Sequence, residues 1–321
     1  MIRLIFSALL IVFSFLPLGM VEAMTISPTR IEITANPGDV VQGEFKLINE
    51  ESEDKFLYVS YENFEARGET GTPYFIGAEN GLATWIDTIS SINIKSRETE
   101  VISYTITIPE DASPGGYFAS IFFGSQPPDD IEGSGVAIGS KIGILVLLRV
   151  SGDVEEGGGL ISFSTRGRQR IFATLPIMFE YRLNNTGADR IMPQGDISIK
   201  NTFRSVLATL PANATGGNVL PGSIRRFDIL WDEGLEDLSR VSFWQMVSRQ
   251  WSNFYLGWYT ANLDLVWSGD NQDSANFNFF IIPWQLLSVL IATVLVLIIL
   301  IKLGLKRYKE RIIAETLNND K

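Results

Sequence analysis

Residues 100–123, EVISYTITIPEDASPGGYFASIFF, contain two strand patterns separated by a turn. In the first part, Ile102, Tyr104 and Ile106 alternate with small or polar neighbours, the period of two that is typical of a half-buried strand. The middle part, Pro109–Gly116, is rich in Pro, Asp, Ser and Gly, which favour turns. The apolar run Tyr117–Phe123 then predicts a second strand. This stretch therefore indicates a β-sheet domain.

The same pattern extends outward in both directions. Strand-like alternation recurs around Phe45 and Val59, and Pro28 interrupts an opening strand in a way that suits a sheet edge, where a missing N–H is tolerated. We predict an all-β fold of two tandem antiparallel β-sandwiches. The predicted boundaries are 24–150 for the first sandwich domain, 151–159 for a glycine-rich linker and 160–270 for the second domain.

A charge-free, apolar run from Phe280 to Ile301 indicates a membrane span. As a helix it would be about 33 Å long, enough to cross a bilayer core. Basic residues crowd the following segment, 302–321, and Trp284 lies where an interfacial aromatic residue is expected. The sequence thus predicts a polar stem at 271–279, a single transmembrane helix at 280–301 and a basic cytoplasmic tail, with the rest of the chain outside.

The N-terminus has the features of a secretory signal. Arg3 precedes an apolar run from Leu4 to Leu18, and Val21-Glu22-Ala23 is a suitable small-x-small cleavage site. We therefore predict a signal peptide at 1–23 and a single-pass protein of the cell membrane.

Composition excludes several kinds of chemistry. The 321 residues include no cysteine and no histidine, so disulfides, Cys- or His-ligated zinc, Ser-His-Asp triads and Cys-His pairs are impossible. A formal net charge of −11 argues against electrostatic binding of nucleic acid. We expect a protein that is not an enzyme and has no cofactor or metal; Asp129 and Asp130 alone are a weak calcium signal.

One segment of the second domain departs from the strand pattern. Between 235 and 254, apolar residues including Trp244 and Trp251 recur at helical spacing, which predicts a short amphipathic helix. This helix either caps the end of the sandwich or presents a Trp-rich surface to the outer leaflet or a partner.

Aromatic residues are the candidate binding side chains of the first domain. Tyr74, Phe75 and Trp85 belong to a glycine-rich loop and Tyr117 opens the strand after the Pro-Gly-Gly turn. These rings could stack on sugars, or they could simply plug the end of the sandwich.

Several motifs resemble those of the WxL-interacting proteins of Gram-positive bacteria. They are Ile26-Ser27-Pro28-Thr29-Arg30, the turn Pro114-Gly115-Gly116 before a Tyr-containing strand, Asn185-Thr186-Gly187, Pro193-Gln194-Gly195-Asp196-Ile197 and Val219-Leu220-Pro221-Gly222-Ser223. The resemblance implies two immunoglobulin-like domains, peptidoglycan association through the first and binding of a surface-protein partner through the second.

These observations favour a non-catalytic, membrane-anchored surface protein that binds a peptidoglycan-like cell-wall polymer or another surface protein. The alternative is a chaperone-like or structural module that holds exported subunits by strand pairing. A pilus-type chaperone would need a basic pair in its interdomain cleft, for which Arg166, Arg168 and Arg170 are the candidates.

Overall fold

The computed structural model describes residues 23–127, 141–232, 241–269 and 271–319, with side chains to residue 310. The predicted signal peptide lies outside this range apart from Ala23, as do Asp129 and Asp130. The described residues form two compact units: the first contains 23–65 and 73–155, and the second contains Ala66–Thr72 and the chain from Glu156 onward.

The first unit is a β-sandwich. Its strands are β1 Met24–Ser27, β2 Arg30–Ala35, β3 Val40–Asn49, β4 Lys55–Ala66, β5 Pro73–Ile76, β6 Ile86–Asp87, β7 Ser91–Ile94, β8 Thr99–Thr107, β9 Gly115–Gly124 and β10 Lys141–Val150, with a short 3-10 helix at Leu82–Thr84. One sheet has the order β1-β3-β8-β6 and the other β2-β10-β9-β4-β5, with β7 also pairing β4. The chain changes sheet at Pro28, so the predicted single opening strand is two strands.

Alternation along the strands builds the core of this sandwich. Phe45 and Leu47 of β3 pack with Ile106 of β8 against Ile121 and Phe123 of β9. Burying each such side chain contributes roughly 1.5–3 kcal/mol. The hydrophobic effect therefore holds the two sheets together without any covalent cross-link.

The second unit repeats this architecture. Its strands are β11 Gly158–Thr165, β12 Ile171–Phe172, β13 Ile177–Asn185, β14 Gln194–Asn201, β15 Val206–Pro211, β16 Ser223–Trp231, β17 Gly257–Ser268 and β18 Asn271–Ile281, with a 3-10 helix at Arg166–Arg168. The sheets have the orders β11-β13-β16 and β12-β18-β17-β14-β15. Phe179 and Tyr181 face Leu263 and Phe279 in the core between them. The predicted fold class is confirmed, although β2–β10 and β12–β18 are parallel pairs.

The predicted polar stem at 271–279 is wrong, because these residues form most of β18. Ala275, Phe277 and Phe279 alternate with polar residues and point into the core, and β18 lies between β12 and β17 in its sheet. The polar residues that suggested a stem are the solvent-facing half of this strand.

The C-terminal helix begins later than predicted and runs further. Helix α2 spans Trp284–Asn319, and its part Trp284–Glu310 is long and apolar enough to cross a membrane. Phe280 and Ile281, predicted as the start of the span, belong to β18, and Pro283 separates strand from helix.

The predicted amphipathic helix is present within its predicted range. Helix α1 spans Phe243–Ser252, and its N-cap Ser242 forms a capping box with Gln245. Residues 235–240 of the prediction lie outside the described residues.

Candidate functional site

A groove opens along one side of the second unit, where each sheet has an edge. Strand β15 borders it on one sheet and β16 on the other, and its volume is about 370 Å³. The groove is lined by Thr70, residues 210–215 and residues 225–230. Apolar surface from Leu210 faces charged and apolar side chains of β16, so the groove suits a chain that carries both kinds of side chain.

Strand β16 has an edge available for backbone pairing. Its inner side pairs with β13 over its whole length, without a bulge. On the other side, the Arg226 N–H donates to the Glu69 carbonyl at 2.8 Å. Alternate residues of a strand direct their backbone groups to the same side, so Asp228 and Leu230 also present theirs outward. Within the described ranges, the outward N–H groups of these two residues have no hydrogen-bond partner.

The connection Ala66–Thr72 occupies the first part of this edge. The Arg182 guanidinium binds both carboxylate oxygens of Glu69, and the Arg182 Nε to Glu69 Oε2 distance is 2.8 Å. The hydrogen bond from Arg182 lowers the pKa of Glu69 from its ordinary value. A bidentate pair of this kind fixes geometry as well as adding energy, and it aligns the Glu69 carbonyl with the Arg226 N–H.

Two glycines make room for an arginine beside the same edge. A Cβ atom on Gly71 would lie 2.2 Å from Arg225 Cζ, and one on Gly217 would lie 2.7 Å from Arg225 Nη2. The guanidinium donates from Nη1 to the Asn218 carbonyl at 2.7 Å, and its Cζ lies 5.1 Å from the centre of the Phe227 ring. Gly71 has a φ of +75°, which favours glycine over any residue with a side chain.

The aromatic residues proposed for the first domain lie on opposite faces of strand β9. Phe75 packs edge-on against Phe122 at 4.8 Å on the face turned away from the core. Trp85 packs on Tyr117 at 4.6 Å beside the core face, and both are half-buried. Tyr74 is exposed. These four residues therefore do not form one continuous sugar-binding platform in this structure.

The two tryptophans proposed for the second domain are exposed. Trp244 and Trp251 lie seven residues apart on α1, so they project from one face of the helix.

Two of the three candidate basic residues near the linker have structural contacts. The Arg166 Nη2 atom lies 3.2 Å from Asp228 Oδ2, and the Arg170 guanidinium lies 5.2 Å from the centre of the Phe277 ring. Arg168 is exposed at the end of the 3-10 helix.

Sequence reasoning missed the groove and the β16 edge. Residue patterns can predict a strand, but no pattern in a strand shows which of its sides has a neighbour. Within the residues that the structure covers, no group of three or more Asp or Glu residues is arranged to hold a metal ion.

No protein-family model and no curated protein matches this chain. Among solved structures, the class 5 fimbriae chaperone CfaA shares 11% identity over 81% of this chain and 100% of its own, with a TM-score of 0.37. A chaperone–tip adhesion subunit pre-assembly complex from the Csu pili of Acinetobacter baumannii matches at 14% identity over 79% and 97%, with a TM-score of 0.36. The CupB2 chaperone of Pseudomonas aeruginosa matches at 9% identity over 80% and 100%, with a TM-score of 0.33.

Proposed function

We propose that this chain is a non-catalytic, membrane-anchored protein that binds an extended segment of another exported protein by strand pairing at the β16 edge. Helix α2 spans the cell membrane, its basic C-terminal part is cytoplasmic, and the two sandwich units are extracellular. The partner segment lies in the groove between β15 and β16 and continues the sheet β11-β13-β16.

The outward N–H groups of Asp228 and Leu230, which have no partner among the residues that the structure describes, carry this proposal. An added strand gains affinity from main-chain hydrogen bonds and specificity from side-chain contacts beside them. The Glu69 carbonyl already accepts from the Arg226 N–H, so one outward position of this edge already pairs with backbone, although the segment that carries Glu69 is bent and not a strand. Asp228 and Leu230 are the next two residues of β16 whose backbone groups point to the same side as those of Arg226.

The groove also provides selectivity for the partner's side chains. Leu210 offers apolar contacts and the Arg225 guanidinium supplies positive charge. Arg226 also lines the groove, but its Nε lies 3.3 Å from the Asp228 carboxylate, which offsets its charge. An extended segment with small apolar residues and an acidic residue fits this lining best.

The test uses a proline at the outward edge. Leu230→Pro removes the outward N–H. It leaves the hydrogen bonds with β13 intact, because Phe227 and Ile229, and not Leu230, direct their backbone groups toward β13. Leu230→Ala is the matched control, since it trims the side chain and keeps the N–H. We expect Leu230→Pro to weaken capture of the partner at least tenfold and Leu230→Ala to weaken it much less.

The partner is identified by cross-linking from the edge. The chain has no cysteine, so a photo-cross-linker can be attached at Leu230→Cys in the full chain in a lipid nanodisc, with Asn276→Cys, exposed on β18 outside the groove, as the control site. A cross-link from position 230 to one extended segment of an exported protein supports the proposal. Equal cross-linking from both sites, or full binding by Leu230→Pro, refutes it.

Cell-wall polymer binding through the first unit is the second candidate. The half-buried pair Trp85 and Tyr117 favours it, because one aromatic pair at the end of a sandwich can still stack on a sugar ring. Sedimentation of the full chain with purified cell wall, compared between wild type and Trp85→Ala, tests this candidate separately. Equal sedimentation of the two proteins counts against it.

A further inference from the structure

One end of the second unit carries a group of exposed aromatic and apolar residues. Strand β14 ends there at Asn201, β17 begins at Gly257, β18 ends at Ile281, and α2 starts at Trp284. The Thr202 hydroxyl donates to the Trp258 carbonyl at 3.0 Å, which places the β14–β15 turn beside the start of β17. We call this group the aromatic belt: Phe203, Trp244, Trp251, Phe254, Leu256, Trp258 and Trp284.

The aromatic side chains of the belt are unusually exposed to solvent. Phe203 is 87% exposed, and Trp244 and Trp251 are each 68% exposed. The chain has seven tryptophans, and the three outside the belt, Trp85, Trp231 and Trp267, are buried or half-buried. Exposed aromatic area on this scale marks a surface that contacts something other than water.

One face of helix α1 packs against the second unit, and a neighbouring face forms part of the belt. Trp244 and Trp251 lie within about 20° of each other around the helix, with Ser248 beside them. Gln250, which is 1% exposed, and Phe243 project about 100° away, toward the rest of the unit. One face of α1 is therefore fixed to the protein and a neighbouring face is left open.

The fixed face joins α1 to the start of α2. The Gln250 Nε2 atom donates to Gln285 Oε1 at 2.6 Å and to the Ala173 carbonyl at 3.2 Å, and Gln250 Oε1 accepts from the Leu286 N–H at 2.9 Å. The Phe243 ring centre lies 6.3 Å from that of Trp284. Because Trp284 begins the apolar helix, the belt is continuous with the surface that enters the membrane.

We propose that the aromatic belt lies in the headgroup region of the leaflet from which α2 emerges, so that this end of the second unit rests on the bilayer. Tryptophan favours the membrane interface, where its ring is buried among acyl chains and its N–H stays hydrated. A helix with one apolar aromatic face and one polar face is the form that lies in this plane. This inference goes beyond strand pairing and requires only that α2 spans the membrane.

The charge of this segment favours lipid as the occupant and predicts weak dependence on salt. From Val241 to Leu263 the only charged residue is Arg249. Binding through neutral aromatic side chains scales with buried apolar area, whereas a polybasic surface would depend on anionic lipid and ionic strength.

The test measures the depth of spin labels on the full chain in phosphatidylcholine nanodiscs. Because the chain has no cysteine, single labels can be placed at Ser248→Cys on the belt, at Thr215→Cys as a reference in water and at Ile291→Cys as a reference in the bilayer. Oxygen concentrates in the bilayer and a hydrophilic nickel complex concentrates in water, so their relative collision rates report depth.

We expect the label at position 248 to collide more often with oxygen than with the nickel complex, and the label at 215 to show the reverse. Adding Trp244→Ala and Trp251→Ala should move the 248 label into water and leave the 291 label unchanged. Since both tryptophans are largely exposed, circular dichroism of this variant should match that of wild type.

Two outcomes overturn the inference. A label at 248 that behaves like the label at 215 means that the belt faces water. A label at 248 that is shielded from both reagents and broadened by a neighbouring label means that the belt packs on a second copy of the chain. Neither result bears on the β16 edge, which the Leu230 variants test independently.

Discussion

Replacing Gln250 by leucine should loosen the junction between α1 and the apolar helix. The side chain is buried, and leucine has a similar volume, so the change removes hydrogen bonds without opening a large cavity. Gln250 Oε1 accepts from the Leu286 N–H, one of the first-turn donors that a helix cannot satisfy internally. Leu286 is itself buried, so water cannot reach its N–H to replace the lost hydrogen bond.

The magnitude follows from the number of groups left without a partner. One buried, unsatisfied N–H costs about 1–3 kcal/mol, whereas the half-buried Gln285 amide and Ala173 carbonyl can be hydrated. We expect the free energy of unfolding of the second unit to fall by about 2 kcal/mol, which corresponds to a decrease in Tm of roughly 4–8 °C for a unit of this size.

The assay is unfolding of the full chain in lipid nanodiscs, followed by tryptophan fluorescence. Ser248→Ala is the matched control, because Ser248 is exposed on the same helix. If Gln250→Leu unfolds within about 0.5 kcal/mol of Ser248→Ala, the glutamine does not secure the junction and the argument fails.

Further changes in the second unit have measurable outcomes. Tyr181→Phe removes a buried hydroxyl that donates to the Ala212 carbonyl at 3.2 Å, and should cost about 0.5–1.5 kcal/mol in the free energy of unfolding, measured in urea. Burial raises the pKa of Tyr181, so its hydroxyl stays neutral in the folded protein at a pH where the unfolded chain ionises. The free energy of unfolding should therefore fall as the pH rises above about 10, and it should fall less steeply in Tyr181→Phe. Identical dependence of stability on alkaline pH in the two proteins would contradict this. Arg182 lowers the pKa of Glu69, so this pair contributes stability above the ordinary glutamate pKa and loses it as the pH falls through the lowered value. The rate of amide hydrogen exchange at Arg226, divided by the rate at Phe227 in the same strand, should therefore rise in acid. The same ratio should rise at neutral pH in the Glu69→Gln variant. An unchanged ratio would show that the Arg182–Glu69 pair does not hold this segment against the strand.

The alternation of residues was sufficient to predict the sandwich fold. Ile102, Tyr104 and Ile106 are buried as their spacing indicated. Successive side chains of a strand point to opposite faces of the sheet, so alternating apolar residues show which face is buried. The same rule applies to 271–279, where Ala275, Phe277 and Phe279 alternate as clearly. Proximity to the apolar run led to the prediction of a stem there, although the pattern itself was that of a strand.

The candidate site was beyond the reach of sequence patterns for a different reason. Whether Leu230 has a neighbour on its outward side depends on sheet order, which is set by contacts between residues far apart in the chain. The bond from Arg226 to Glu69 joins residues separated by more than 150 positions. Gln250 illustrates the same limit, because a glutamine in an amphipathic helix is normally assigned to the solvent face.

The way β18 leads into α2 has a mechanical consequence. Only Ile282 and Pro283 separate the strand from the helix, and β18 is bonded on one side to β17 along its length and on the other to β12. The ladder bonds run across the strand, so a force pulling on the anchor along β18 must shear many of them at once instead of opening them one at a time. The fold therefore resists extraction from its anchor in the direction in which a tethered protein is loaded. Pulling the protein by α2 in a single-molecule instrument would measure that resistance directly.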